Sequence, residues 1–587
     1  MPTRSMRRTV APLALLALFV QLASDPAGAA GPVDEPPYAS VTAERLATPG
    51  ADDWLMVRRT YDSWGYSPLA HISTANVATL QPVWTFSTGV VEGHQAPPIV
   101  NDGMMFVATP RNQVIAIDAR SGEEVWRYRR ALPGDLFQLH PTNRGVALWG
   151  DRVYLATVDA HLVALDARTG EVVWDVEVAD YLSGYYMTLA PLAVEGRILV
   201  GTSGGEFGIR GFIEAFDADS GESLWRTYTV PGPGEPGSET WSDEAWKRGG
   251  VPIWVTGSYD PATRLSYWGT GNAGPWMADQ RPGDNLYANS VVAIDIESGA
   301  IRAHHQYHWN DAWDWDEVTA PLLIDFPDGA DTVKGLVHAG RNGYLWRLAR
   351  SADDIRFVDA RPYVYQNVFS AIDAQSGRPS YDPTRIPRTG HRTEFCPSLW
   401  GGKDWPPEAY SPQTGYLYIP ANENLCSAFT GEKAKYRPGE LYLGLSIDKL
   451  EVFPRADGGD HVGELQAWDM RTGEQVWTRT FDSHNWGPVL ATGGGLVFAG
   501  GTNDRLFRAF DAQTGALLWQ QKTSSGVIGV PVSYAVDGRQ YIAVVSGWGV
   551  DAQRKQDYLN KARGSDIQVP QGGVVWVFAL PDAARGE

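Results

Sequence analysis

A motif of the form Ala-x-Asp-x-x-x-Gly-x-x-x-Trp recurs along the chain and constrains the fold more than any other feature. Clear copies run Ala116 to Trp126, Ala164 to Trp174, Ala215 to Trp225, Ala467 to Trp477 and Ala509 to Trp519. Two worn copies, Ala293 to Gly299 and Ala371 to Gly377, keep the Asp and Gly but lose the Trp. Each copy joins two alternating apolar segments. The Asp caps its own backbone, and the Gly supplies the positive φ that a tight hairpin needs. The Trp gives each unit a large flat surface to lay against its neighbour. Self-similar all-β units of this kind cannot bury their own faces alone, so they stack into a propeller or solenoid. The spacing leaves room for one further unit, closed by the two ends of the chain, with Gly573–Leu580 beside Val83–Thr88. The expectation is an all-β, eight-bladed β-propeller with tryptophan-docking motifs, a single domain over residues 31–587. Long gaps after Asp217, Asp295 and Asp373 are expected to be loops decorating one face.

Residues 1–30 carry the pattern of an export signal. Arg4, Arg7 and Arg8 precede an apolar run from Val10 to Ala23, and Ala27-Gly28-Ala29 offers a small-residue cleavage site. An uncleaved anchor is the alternative. No later stretch approaches a transmembrane length. The whole chain has a formal charge of −20, and losing three Arg and one Asp with the signal makes the balance more negative still. That charge argues against nucleic acid and anionic membrane, and suits a soluble periplasmic protein that meets a basic partner. The two cysteines, Cys396 and Cys426, read as one disulfide in an oxidising compartment, or else as two inert buried thiols. No Cys-x-x-Cys-His occurs, so the chain attaches no c-type haem of its own.

The strongest local signal for chemistry is Trp313-Asp314-Trp315-Asp316-Glu317. Three acids among tryptophans are costly if dry and unpaired. A hard cation would stabilise them, and all-oxygen ligation selects calcium-like or larger trivalent ions over zinc. The alternative is a solvated acidic loop. Ser203-Gly204-Gly205-Glu206 and Gly269-Thr-Gly-Asn272 are further candidates, because glycine lets backbone approach a ligand while Glu206 and Asn272 each offer an oxygen. The second stretch satisfies Gly-x-Gly-x-x-Gly, but Pro275 and a polar loop follow it where a dinucleotide site needs a helix. His304, His305 and His308 read as ordinary histidines of a blade-edge loop, with a metal cluster as the alternative. Arg144, Arg341, Trp254, Trp486, Trp548 and Asn422 stand in Gly-rich or strand-end contexts. A planar anionic cofactor wants such arginines for its carboxylates and a Trp plane to stack on.

Taken together, these motifs resemble the quinoprotein alcohol and methanol dehydrogenases, over the whole chain from Trp64-Gly-Tyr-Ser-Pro68 to the last strand. These are periplasmic eight-bladed propellers that hold pyrroloquinoline quinone (PQQ) and a metal ion. Asn143-Arg-Gly-Val-Ala147, Gly205-Glu-Phe-Gly-Ile-Arg-Gly211, Trp313-Asp-Trp-Asp316 and Gly340-Arg-Asn-Gly343 fall in the family's order and spacing. The resemblance implies that Glu206, Asn272 and Asp314 ligate the metal, with Asp314 also the catalytic base. It implies that Arg144 and Arg341 contact the quinone and that Trp254 stacks under it. Thr157, Ser203, Gly204, Gly205, Asn422, Trp486 and Trp548 would be cofactor neighbours, and Gln95 falls where some members carry a Glu. Cys396 and Cys426 match a structural disulfide.

Two departures bear on function. Asp316 resembles the extra carboxylate of the lanthanide-dependent branch, which implies a lanthanide(III) ion as a fourth-donor site; calcium beside a spectator acid is the alternative. The family's adjacent cysteines before Asn-Arg-Gly are missing, replaced by Phe137-Gln-Leu-His-Pro-Thr142. The implied activity is oxidation of an alcohol to an aldehyde or ketone, with hydride passing to PQQ C5 and electrons leaving to a soluble cytochrome c. A homodimer is left open. A short primary alcohol is the default substrate. A bulkier secondary or cyclic alcohol with calcium is the alternative, since the unusual stretch Val550–Asn560 stands ready to reshape the entrance. A non-catalytic periplasmic propeller scaffold is the remote alternative.

Overall fold

The computed structural model describes residues 38–329 and 331–581, so the export signal expected at 1–30 lies outside the described residues. Within them, each repeat does what its residue types dictate. In the first copy Asp118 Oδ1 accepts from the N–H groups of Arg120 and Ser121, both at 2.8 Å. Gly122, at φ 80°, donates its own N–H back to the Asp118 carbonyl. The worn copies at Asp295 and Asp373 keep this turn.

The turn links the third and fourth strands of a sheet, and the fourth strand carries the Trp. Trp126 Nε1 donates to the Ala167 carbonyl of the next sheet at 3.0 Å, and Trp477 does the same to Ala512 at 3.2 Å. The indole faces of Trp126, Trp174, Trp225 and Trp477 lie where a Cβ would stand on the next repeat's glycine, at Gly170, Gly221, Gly299 and Gly515. That glycine therefore serves twice, as the hinge of its own turn and as the seat of its neighbour's Trp. At the worn copy Gly377, Phe357 and His305 occupy the seat instead.

The described strands form eight antiparallel sheets of four strands each, one of them extended by Tyr66–Ser67. The first strand of a sheet is buried throughout, as at Ile99–Asn101, while the fourth alternates with solvent, as at Val172–Glu177. One sheet joins the chain ends: Gln81–Ser87 pairs antiparallel with Val574–Ala579, setting Trp84 opposite Val577. This is the pairing read from the sequence.

The long gaps are more than loops. The one after Asp373 holds a three-stranded sheet of Arg392–Phe395, Leu425–Thr430 and Glu451–Pro454, stapled by the Cys396–Cys426 disulfide. The stretch singled out before the last strand is a helix, Gly549–Arg563, which an all-β reading did not anticipate. Gly564, at φ 66°, ends it by donating to the Asn560 carbonyl. No helix among the described residues is long and apolar enough to cross a membrane.

Candidate active site

Antiparallel pairing puts the start of a sheet's first strand and the end of its second on one edge. Nearly every candidate residue sits at one of those two places. Arg144, Trp254, Asp314, Asp316 and Trp486 precede first strands that begin at Ala147, Ser258, Leu322 and Val489. Ser203, Glu206, Asn272 and Arg341 follow second strands that end at Gly201, Gly269 and Ala339. The sheets thus deliver side chains far apart in sequence to one edge, where a single cavity opens. Arg144, Ser203, Gly204, Glu206, Trp254, Asp314, Asp316, Arg341 and Trp486 all line it.

The acidic floor is built from the Trp313–Glu317 loop. Asp314 adopts φ 66°, a left-handed backbone that Asp tolerates better than most residues. Asp311 holds it there: its carboxylate accepts from the N–H groups of Asp314 at 3.1 Å and Trp315 at 3.3 Å. Behind it His308 lies between two carboxylates, Nε2 at 3.1 Å from Asp311 and Nδ1 at 3.5 Å from Glu317. Glu317 also accepts from His338 Nε2 at 2.7 Å and from the Arg341 N–H at 3.0 Å. His308 is therefore part of a buried polar frame under the loop, while His304 and His305 belong to the strand Ile301–Gln306.

The floor is poor in hydrogen-bond partners, and Asn272, unlike Asp314 and Asp316, lies behind the cavity lining. Asp314 Oδ1 and Asn272 Oδ1 are buried with no hydrogen-bond partner. Asp316 accepts from the Asn272 N–H at 2.7 Å and lies 3.3 Å from an Arg341 nitrogen. Burial, then repulsion from Asp316, lifts the Asp314 carboxyl well above the usual carboxylate range. Burial raises Asp316 to about 7, with Glu206 adding and Arg341 opposing. Such a set, desolvated and mutually repelling, fits a cation. Among the described residues no three His, Cys, Asp or Glu side chains form a ready-made cage; Asn272 offers a further oxygen next to Asp316.

The walls suit a planar anion. The Arg144 guanidinium lies 4.5 Å from the Trp254 ring and 5.3 Å from that of Trp405, with Nε unpartnered. Burial pulls Arg144 down to about 10. Trp548 packs with Trp486, Trp405 and Trp254 behind the wall. With Trp548, five expected cofactor neighbours do not line the cavity. Thr157 donates to the His161 carbonyl, Asn422 exchanges hydrogen bonds with Asn485, Gly205 packs under Pro252, and Gln95 is buried apart.

Sequence reasoning missed Asp404, Trp405, Lys555 and the pair His140–Asp551. Asp404 accepts from Arg341 at 2.7 Å and from Lys555 Nζ at 3.0 Å. His140, in the stretch that replaces the adjacent cysteines, sits 2.9 Å from Asp551 of the helix. Burial would lower this His, but Asp551 overturns that and raises it, while Asp551 falls to about 2. A salt bridge thus links loop and helix over the cavity. Leu139, Trp276, Trp400, Leu443 and Leu450 add apolar side chains to the lining.

Fold and cavity define a class: a β-propeller with one acidic-floored cavity walled by arginine and tryptophan. The sequence matches the family described as "PQQ: Glucose/ethanol/alcohol dehydrogenase, beta-propeller domain" over residues 54–362 and 478–542. The chain belongs to this family of PQQ-dependent alcohol dehydrogenases. It is 36% identical over 541 residues to quinoprotein alcohol dehydrogenase PedH of Pseudomonas putida, covering 88% of this chain and 89% of that one. It is 37% identical over 530 residues to the lanthanide-dependent methanol dehydrogenase of Methylacidiphilum fumariolicum, covering 84% and 85%. A solved structure of a europium-containing methanol dehydrogenase superposes with a TM-score of 0.86 at 34% identity, covering 92% of this chain and all of that one.

Proposed function

We propose that this protein is an exported, eight-bladed quinoprotein that uses PQQ and one metal ion to oxidise an alcohol to an aldehyde or ketone. The observation that carries the reading is the pair of buried, partnerless oxygens, Asp314 Oδ1 and Asn272 Oδ1, beside Asp316 and Glu206. These four residues would hold the ion, and Arg144, Arg341 and Trp254 would hold the quinone. When bound, the quinone supplies a two-electron hydride acceptor and the ion supplies Lewis acidity. Asp314 would give one carboxylate oxygen to the ion and take the hydroxyl proton of the substrate on the other. Arg341 donates to the Asp314 carbonyl at 3.0 Å and keeps the base aimed while it works. The indoles of Trp254, Trp405 and Trp486 keep bulk water from the reacting edge.

Asp316 adds a negative donor, which favours a trivalent lanthanide over calcium. The apolar side chains of the lining favour an alcohol with a sizeable apolar substituent over methanol. With no haem in the chain, electrons leave to a separate acceptor, a soluble cytochrome c drawn to the acidic surface. The signal pattern at 1–30 and the disulfide support a periplasmic location.

The test is to load metal-free, processed protein with PQQ and assay dye-linked oxidation of an alcohol panel with calcium or lanthanum. Activity with lanthanum alone supports Asp316 as a ligand. Activity with calcium alone makes Asp316 a spectator. Failure to bind PQQ at all overturns the reading.

A further inference from the structure

We propose that Lys555, carried into the cavity by the helix Gly549–Arg563, is a positioning residue that holds Asp404 and so leaves Arg341 available to Asp316. The inference rests on the functional reading above and adds to it a residue outside the propeller sheets.

Four buried charges alternate in one chain. Lys555 Nζ lies 3.0 Å from Asp404 Oδ2. Asp404 Oδ1 lies 2.7 Å from an Arg341 nitrogen, and that same nitrogen lies 3.3 Å from Asp316 Oδ2. Arg341 is thus shared between an acid of the floor and an acid of the wall, and Lys555 decides the balance. The ammonium also rests over the Trp486 ring at 2.6 Å and faces Trp400 at 4.8 Å. Burial pulls it down to about 7, opposed chiefly by Asp404. Burial alone would raise Asp404, but Arg341 and Lys555 overturn that and hold it low. The helix presents Asp551, Lys555 and Tyr558 at spacings of four and three, one face, so all three reach the cavity together.

Without the ammonium, Asp404 keeps Arg341 as its one strong cation and draws it off Asp316. The floor then becomes more negative and the quinone's wall less positive. A cation should bind more tightly and an anionic quinone more weakly. General disruption of the cavity would weaken both, so opposite signs separate an electrostatic role from collapse of the cavity.

The experiment measures two affinities on the full, folded chain: Tb³⁺ by tryptophan-sensitised luminescence, and PQQ by tryptophan quenching. In Lys555→Met, Tb³⁺ binding should tighten and PQQ binding weaken, each by roughly tenfold, the scale of coupling between ionic neighbours. Asp404→Asn/Lys555→Met removes both charges and should bring the two affinities back toward wild type. The double variant also guards against a single variant that folds poorly. Unchanged affinities in Lys555→Met, or a joint loss that the double variant does not reverse, overturn the proposal and leave the functional reading standing. Wild-type protein that binds neither probe overturns that reading and this inference with it.

Discussion

Asp314 is held by more groups than touch its carboxylate: Asp311 fixes its N–H, Arg341 its carbonyl, and one oxygen is left free. Asp314→Asn keeps the shape and loses the base. Turnover should fall by about 10²–10⁴-fold, with PQQ affinity, read by tryptophan quenching, changing far less. Asp316→Ala should abolish the preference for lanthanum over calcium, which a metal titration of activity checks; a preserved preference would remove Asp316 from the ligand set. The acids of Trp313–Glu317 stood out in the sequence because dry, unpaired carboxylates are costly, whereas Glu206 and Asn272 were candidates by their glycine-rich surroundings and ligands only by resemblance. Lys555 and Asp404 were not, since their bond spans 151 positions and neither stands in a motif that demands the other. Thr157 was placed with the cofactor by resemblance and Asn422 first by its strand-end context, and in the fold their side chains bond to backbone.

The repeat was readable because everything it needs is local: an Asp that caps, a Gly that turns and a Trp that covers. Trp126→Ala should cost about 3–5 kcal/mol, measured as a loss in urea unfolding free energy, since it empties the seat over Gly170 and drops a bond to Ala167. Gly170→Ala should destabilise by at least about 1 kcal/mol, because φ is +75° and the new methyl overlaps the Trp126 ring. A neutral Gly170→Ala would refute the double role of that glycine. The helix was missed for the opposite reason. Its run of Gln, Arg, Lys and Asp has no apolar stripe, because the face it buries carries Asp551 and Lys555, which pair with His140 and Asp404. Helix-forming residues followed by Gly564 were the only available signal.

At the scale of the molecule, acid stability follows from three histidines that burial keeps neutral. His94 falls to about 4 and His305 and His484 to about 3, each driven by desolvation. The unfolded chain protonates them near 6.5 while the folded one resists, so stability is lost as pH falls from about 6.5 towards 4. Asp314 and Asp316 act in the opposite sense in metal-free protein, because their raised affinities favour the folded state at low pH. Melting temperature should therefore drop with acid more steeply for metal-loaded than for metal-free protein. Equal slopes in the two would contradict this account.

The sheet that joins the chain ends pairs Gln81–Ser87 with Val574–Ala579. Its second strand arrives nearly 500 positions after its first. While the chain is being made, that sheet lacks a strand, and Trp84, which covers Gly122 of the first repeat, sits on an unfinished support. Long-range closure of this kind is slow and comes late in folding. A chain whose last strand is not yet made therefore lacks the final lock of the ring, however well its earlier repeats have formed.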